Sequence, residues 1–158
     1  MNVSTRATIT VRATPEAVFD LVNDPERTPD VFVAHGPIVG VTGAQVVSAG
    51  PLAEGKVRHI TTADGATLTE TMLTFDRACA VRYRLEGLAR PFSFLVRHGD
   101  ASWRFTPEEG STRVEWTYTF ELTTPLAWPL AALIVGTVFR GWMNSCLHRV
   151  NEILNDSE

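Results

Sequence analysis

With 158 residues, 44% of them hydrophobic and 20% charged, the chain can bury a core without disulfide or metal staples, and one domain over 1–158 is expected. A formal charge of −4 and the lack of any lysine/arginine run argue against nucleic acid as a partner. Two cysteines, Cys79 and Cys146, with neither C-x-x-C nor Cys/His ligand spacing, suit a reducing cytoplasm and supply no metal or cofactor motif.

Val3, Thr5, Ala7, Ile9 and Val11 alternate with polar residues, which predicts a half-buried first strand. The same stretch lacks the apolar run of a secretory signal, so the expected location is the cytoplasm. Thr14-Pro15-Glu16 then reads as a helix start, with Thr14 as N-cap and Pro15 at the first position. Val18, Phe19, Leu21 and Val22 form its apolar face, and Asn23-Asp24-Pro25 ends it. A second short helix is expected over 26–34, with Val31 and Phe32 facing inward.

From Ile38 the reading is antiparallel strands in succession. Val46 and Val47 precede a turn at Gly50-Pro51, and stretches 56–62 and 67–75 flank Ala63-Asp64-Gly65-Ala66, a two-residue hairpin signal centred on Asp64-Gly65. Val81, Tyr83 and Leu85 alternate with Arg82, Arg84 and Glu86. Stretches 92–96 and 101–105 are expected to form one strand interrupted by a bulge near His98-Gly99-Asp100. Val114, Trp116, Tyr118, Phe120 and Leu122 alternate with charged and hydroxyl residues, leaving one aromatic face and one charged face.

The last third, 125–154, is predicted to be one long helix. Residues 122–139 carry no charge, and from Phe139 onward Met143, Leu147, Val150 and Leu154 recur at helical spacing. A membrane span is disfavoured by the marginal length of the uncharged run, its two prolines Pro125 and Pro129, and the absence of a basic flank. A helix apolar on most sides requires a broad concave surface to cover it.

The element order β-α-α-β-β-β-β-β-β-α implies an α+β fold with helices on one face of an antiparallel sheet of about seven strands, strongly twisted and therefore curled. Several segments resemble the START-like (SRPBCC) superfamily, in particular its polyketide cyclase/dehydrase and lipid-transport branch. They are Thr14-Pro-Glu-Ala-Val-Phe-Asp-Leu-Val with Asn23-Asp-Pro-Glu, Gly50-Pro-Leu-Ala-Glu-Gly-Lys-Val, Glu70-Thr-Met-Leu-Thr-Phe-Asp, Trp103-Arg-Phe-Thr-Pro-Glu and Gly110-Ser-Thr-Arg-Val-Glu-Trp. The likeness runs through nearly the whole chain, and departs at Ala78-Cys79, where the pattern usually carries proline. It implies a helix-grip (START-like) fold, a curled sheet around a long C-terminal helix with two short helices after the first strand. It also implies a cavity between sheet and helix for an apolar or amphipathic small molecule, and the family contains carriers, cyclases, hydrolases and regulators.

By alternation, the candidate cavity walls are Val57, Met72, Tyr83, Leu85, Phe94, Trp116, Tyr118 and Phe120, closed by Phe32, Phe139 and Met143. Taken singly, each of these reads first as an ordinary core position. A two-residue turn at Asp64-Gly65 would oppose Thr61 to Leu68, His59 to Glu70 and Val57 to Met72, turning His59 and Glu70 inward as a candidate acid/base pair. A cross-strand ion pair is the alternative. His98 with Asp100, His35 and His148 are accounted for by a bulge, a turn and a solvated helix face. Three functions follow. One is a carrier or binding protein for a lipid, polyketide or isoprenoid; another is a cyclase or dehydratase using His59 and Glu70. The third is an interaction module acting on a partner protein or a membrane through the apolar helix start, residues 126–138, where a homodimer or peripheral membrane contact is expected.

Overall fold

The computed structural model of the chain describes residues 1–156. Seven antiparallel strands form one sheet: β1 (Asn2–Val11), β2 (Val41–Val46), β3 (Val57–Thr62), β4 (Thr67–Asp76), β5 (Ala80–Glu86), β6 (Val96–Glu108) and β7 (Ser111–Leu122). Their order in space is β1-β7-β6-β5-β4-β3-β2, so the first two strands in sequence lie at opposite edges. Two helices bridge that gap, α1 (Pro15–Asn23) and α2 (Thr28–Val31).

The start of α1 follows its sequence. The Ala17 N–H donates to Thr14 Oγ1 at 3.2 Å and Pro15 opens the first turn, while Val18, Phe19, Leu21 and Val22 are buried. The second helix is much shorter than expected, a single turn instead of the stretch 26–34. Phe32 leaves helical geometry at φ −92 and ψ 70, and His35 and Ile38 then pair across a tight turn.

Residues Pro125–Asn155 form one continuous helix of 31 residues. It begins as a 3-10 turn, continues as α-helix through Trp128–Ile134, widens to a π turn over Val135–Phe139 and returns to α-helix over Arg140–Asn155. Ala131, Val135, Met143, Cys146, Leu147 and Val150 are its buried stripe, packed toward β1, α1 and α2. Trp142 Nε1–H donates to the Val33 carbonyl at 3.0 Å, and Arg149 Nε–H to that of Asp30 at 3.1 Å, fixing the helix to the segment after α1. By length and composition the helix could cross a bilayer. Here its buried stripe completes the core.

Two strand details differ from expectation. The stretch 92–96 is not strand: Phe92–Phe94 is a 3-10 turn, and β6 starts at Val96 with its bulge between Val96 and His98. Gly99 lies opposite Phe120, and a Cβ there would come within 2.8 Å of the Phe120 ring, so this position needs glycine.

The hairpin between β3 and β4 holds the larger correction. Its loop has three residues, not two. The Thr62 N–H donates to Ala66 O at 3.0 Å, and Gly65, at φ +84, donates to Thr62 O at 2.9 Å. Asp64 Oδ1 accepts from the Ala66 N–H at 3.2 Å. A turn closed by a left-handed glycine is the common three-residue hairpin solution, and it moves the pairing by one residue. Arg58 therefore faces Glu70, His59 faces Thr69 and Val57 faces Thr71. A one-residue slip turns every β3 side chain to the other face of the sheet.

Candidate functional site: a cavity between the sheet and the terminal helix

Between the concave face and the terminal helix lies a cavity of about 600 Å³. Strand β3 contributes Arg58, Ile60 and Thr62, β4 contributes Leu68 and Glu70, and β5 contributes Tyr83 and Leu85. Tyr118 comes from β7, Phe32 from the end of α2, and Leu130, Ile134, Val138, Phe139 and Trp142 from the terminal helix. The rest is lined by Thr28, by residues 37–39 and Val41, by Asp64 and Ala66 of the β3–β4 loop, and by the segment after β5 that carries Arg90 and the exposed Phe94.

Six of the eleven wall positions expected from sequence line this cavity: Phe32, Tyr83, Leu85, Phe94, Tyr118 and Phe139. Val57 does not, because the hairpin register turns it to the other face. Met72, Trp116, Phe120 and Met143 are on the concave side but fully buried, at 0–1% exposure, as solid core. Trp103 and Trp116 stack at 4.3 Å between centroids, and Phe32 and Trp142 cover Trp116. The Phe139 ring stands edge-on to both Tyr118 and Phe120, at 4.9 and 5.0 Å. Aromatic rings thus fill the β6–β7 side of the groove, and the open volume remains over β3, β4 and β5.

The proposed His59/Glu70 pair is not assembled. Glu70 points inward as expected, but its partner is Arg58, whose Nε and Nη2 donate to Glu70 Oε2 at 2.8 and 2.5 Å. Both side chains are buried, at 3% and 8% exposure. Burial works to lower the Arg58 pKa, and the charge and hydrogen bond of Glu70 more than reverse this, so the guanidinium stays charged. His59 sits half-buried on the other face between Gln45 and Thr69. Sequence reading missed Arg58 altogether. The signal was there in the Ile60–Leu68 cross-strand pair, which puts two aliphatic residues on one face only in the observed register.

Beside the ion pair, the Tyr83 and Tyr118 hydroxyls meet at 3.1 Å. Burial pushes both phenols above their ordinary range, so both remain neutral donors. The four histidines all lie elsewhere. His98 contacts Glu121 at 3.3 Å from the bulge, and His35 and His148 border a separate shallow groove on the terminal helix. The buried Cys146 thiol is pushed up to about 12 by desolvation, which makes it a packing group. Among the described residues no three metal-ligating side chains gather.

A family model described as polyketide cyclase/dehydrase and lipid transport matches residues 2–154. Solved structures share the fold at low sequence identity. Ara h 8.0201 superposes with a TM-score of 0.77 at 12% identity, covering 99% of both chains. Protein MLL2253 from Mesorhizobium loti gives 0.73 at 12%, covering 98% of both. A point mutant of Thalictrum norcoclaurine synthase, bound to a transition-state analogue, gives 0.70 at 10%, covering 99% of this chain and 96% of the other. None of the curated proteins matches in sequence.

Proposed function

The chain belongs to the polyketide cyclase/dehydrase and lipid-transport family, and from that premise we propose that it is a carrier or binding protein for a hydrophobic small molecule of lipid, polyketide or isoprenoid type. The observation that carries this reading is the cavity of about 600 Å³, apolar around most of its wall. Its size lies in the range of roughly 300–1,000 Å³ typical of small-molecule sites. A cyclase or dehydratase would need a group that exchanges a proton near neutral pH. The cavity offers a charged pair already hydrogen-bonded to itself, two phenols held neutral, and at its rim Arg90 and Asp64, whose carboxylate is held below its ordinary range by hydrogen bonds from Thr62 and Ala66; no histidine lines it. Binding without turnover is the function this wall supports best.

The test is saturable binding of an environment-sensitive apolar dye by the folded protein. Replacing Ile60 or Leu85 with tryptophan should fill the open volume and weaken binding at least tenfold, with the circular dichroism spectrum unchanged. Equal dye binding by the filled variants would sink the proposal.

A second reading rests on the helix start. Leu130 and Ile134 line the cavity, while Leu126 is 89% and Leu133 61% exposed on the same segment. Ligand would then enter and leave past this apolar surface, at a membrane or against a second subunit.

A further inference from the structure

In a nearly apolar cavity, the polar groups define which part of a ligand is read. Four polar side chains cluster there, from three adjacent strands and β7: Arg58, Glu70, Tyr83 and Tyr118. The guanidinium is 3% exposed, and two of its nitrogens, Nε and Nη2, are spent on one carboxylate oxygen of Glu70. The third nitrogen, Nη1, is buried and has no hydrogen-bond partner. A buried donor left unpaired costs the free energy of its lost hydration, of order 1–3 kcal/mol and more for a charged group. The tyrosine pair has the same bias. When one hydroxyl donates to the other, the acceptor's own proton is still available, and the acceptor that the Arg58 contacts leave open is Glu70 Oε1.

The charge balance narrows the choice of acceptor. Arg58 is already neutralised by Glu70, so a ligand carboxylate at Nη1 would place a second anion beside the Glu70 carboxylate, and the cavity's other cation, Arg90, belongs to the exposed segment after β5 and not to this buried cluster. A neutral oxygen meets no such opposition and still satisfies the donor. Building on the binding role assigned above, we infer that the cavity takes ligands with an apolar body and a neutral carbonyl oxygen, the carbonyl accepting from Arg58 Nη1 with the Tyr83–Tyr118 pair beside it. A hydrocarbon would leave the donor unpaired, and a fatty carboxylate would be repelled. Arg58 is thus a specificity-determining residue, and Glu70 is the residue that positions it and cancels its charge.

A matched probe series decides the matter on the unmodified protein. Acetylnaphthalene, ethylnaphthalene and naphthoate share one ring system and differ only in the group offered to the cluster. The ketone should bind about tenfold more tightly than the hydrocarbon, the free-energy scale of a hydrogen bond to a charged donor, and naphthoate at pH 7 should bind more weakly than the ketone. Difference infrared spectroscopy should show the bound ketone's carbonyl stretch lowered by hydrogen bonding. Arg58→Lys keeps a cation for Glu70 but lacks the guanidinium's third nitrogen. In it the preference for the ketone and the infrared shift should both disappear, with ethylnaphthalene affinity kept. Should that variant fold poorly, the double variant Arg58→Met/Glu70→Leu has the same expected outcome without a buried charge. Ethylnaphthalene binding as well as the ketone, or naphthoate binding best, overturns this inference and leaves the apolar binding site standing. No saturable binding of any of the three overturns both.

Discussion

Glu70 and Arg58 are buried together, so removing one strands the other's charge in apolar surroundings. Glu70→Ala is expected to cost about 3–5 kcal/mol in denaturant unfolding, whereas Arg58→Met/Glu70→Leu should cost much less, because both desolvation penalties leave together. A double variant at least as unstable as the single one would show that the pair itself supports the fold. Tyr83 and Tyr118, the chain's two tyrosines, allow a spectroscopic check. Burial raises both phenol pKa values in the folded state, so the folded protein keeps protons that the unfolded chain releases above about pH 10. Their contribution to stability is whole below that pH and declines as pH rises past it. Alkaline titration should therefore show no phenolate absorbance until the protein unfolds, and early ionisation of either tyrosine would contradict the buried pair.

At the level of elements, the terminal helix divides into two halves with different burdens. Met143 and Leu147 are 0% and 1% exposed, and truncating either to alanine should cost roughly 2–5 kcal/mol. Leu130 is 52% exposed and borders the cavity, so Leu130→Ser should cost under ~1 kcal/mol while changing the rate of dye exchange. Comparable unfolding from both halves would make the helix plain core throughout. This division was readable in the sequence, since the helix start, 126–138, has more apolar surface than one sheet face can cover. The π turn at Val135–Phe139 was not, because a helical stripe can continue through one extra residue without losing its pattern. The hairpin shows the same limit from another side. A period-two pattern around Asp64-Gly65 fits loops of two or three residues equally well, yet the two choices send opposite β3 side chains inward. The strands could be found by alternation, and the face of β4 came out right. The partner of Glu70 depended on a turn whose length only the hydrogen bonds reveal.

For the molecule as a whole, alternation told which residues face the helix but not how deep each lies. Trp116, Phe120 and Met72 share a sheet face with Tyr83 and Tyr118, and packing by Phe32, Phe139 and Trp142 makes Trp116 and Phe120 core where Tyr83 and Tyr118 remain cavity wall. The strand order has a further consequence, for how the protein is made. β1 ends at Val11, yet its single neighbour, β7, begins at Ser111. On the ribosome the first strand thus waits unpaired until nearly the whole sheet has been synthesised, and the groove has no lid until the last helix emerges. Pairings this distant in sequence fold slowly and leave apolar strand surface open meanwhile. Nascent chains stalled before Ser111 should be degraded readily by protease, with resistance appearing only after the terminal helix has left the exit tunnel. Resistance gained before β7 exists would mean that the middle strands fold by themselves. Otherwise β1, made before every other strand of the sheet, is among the last to find its place.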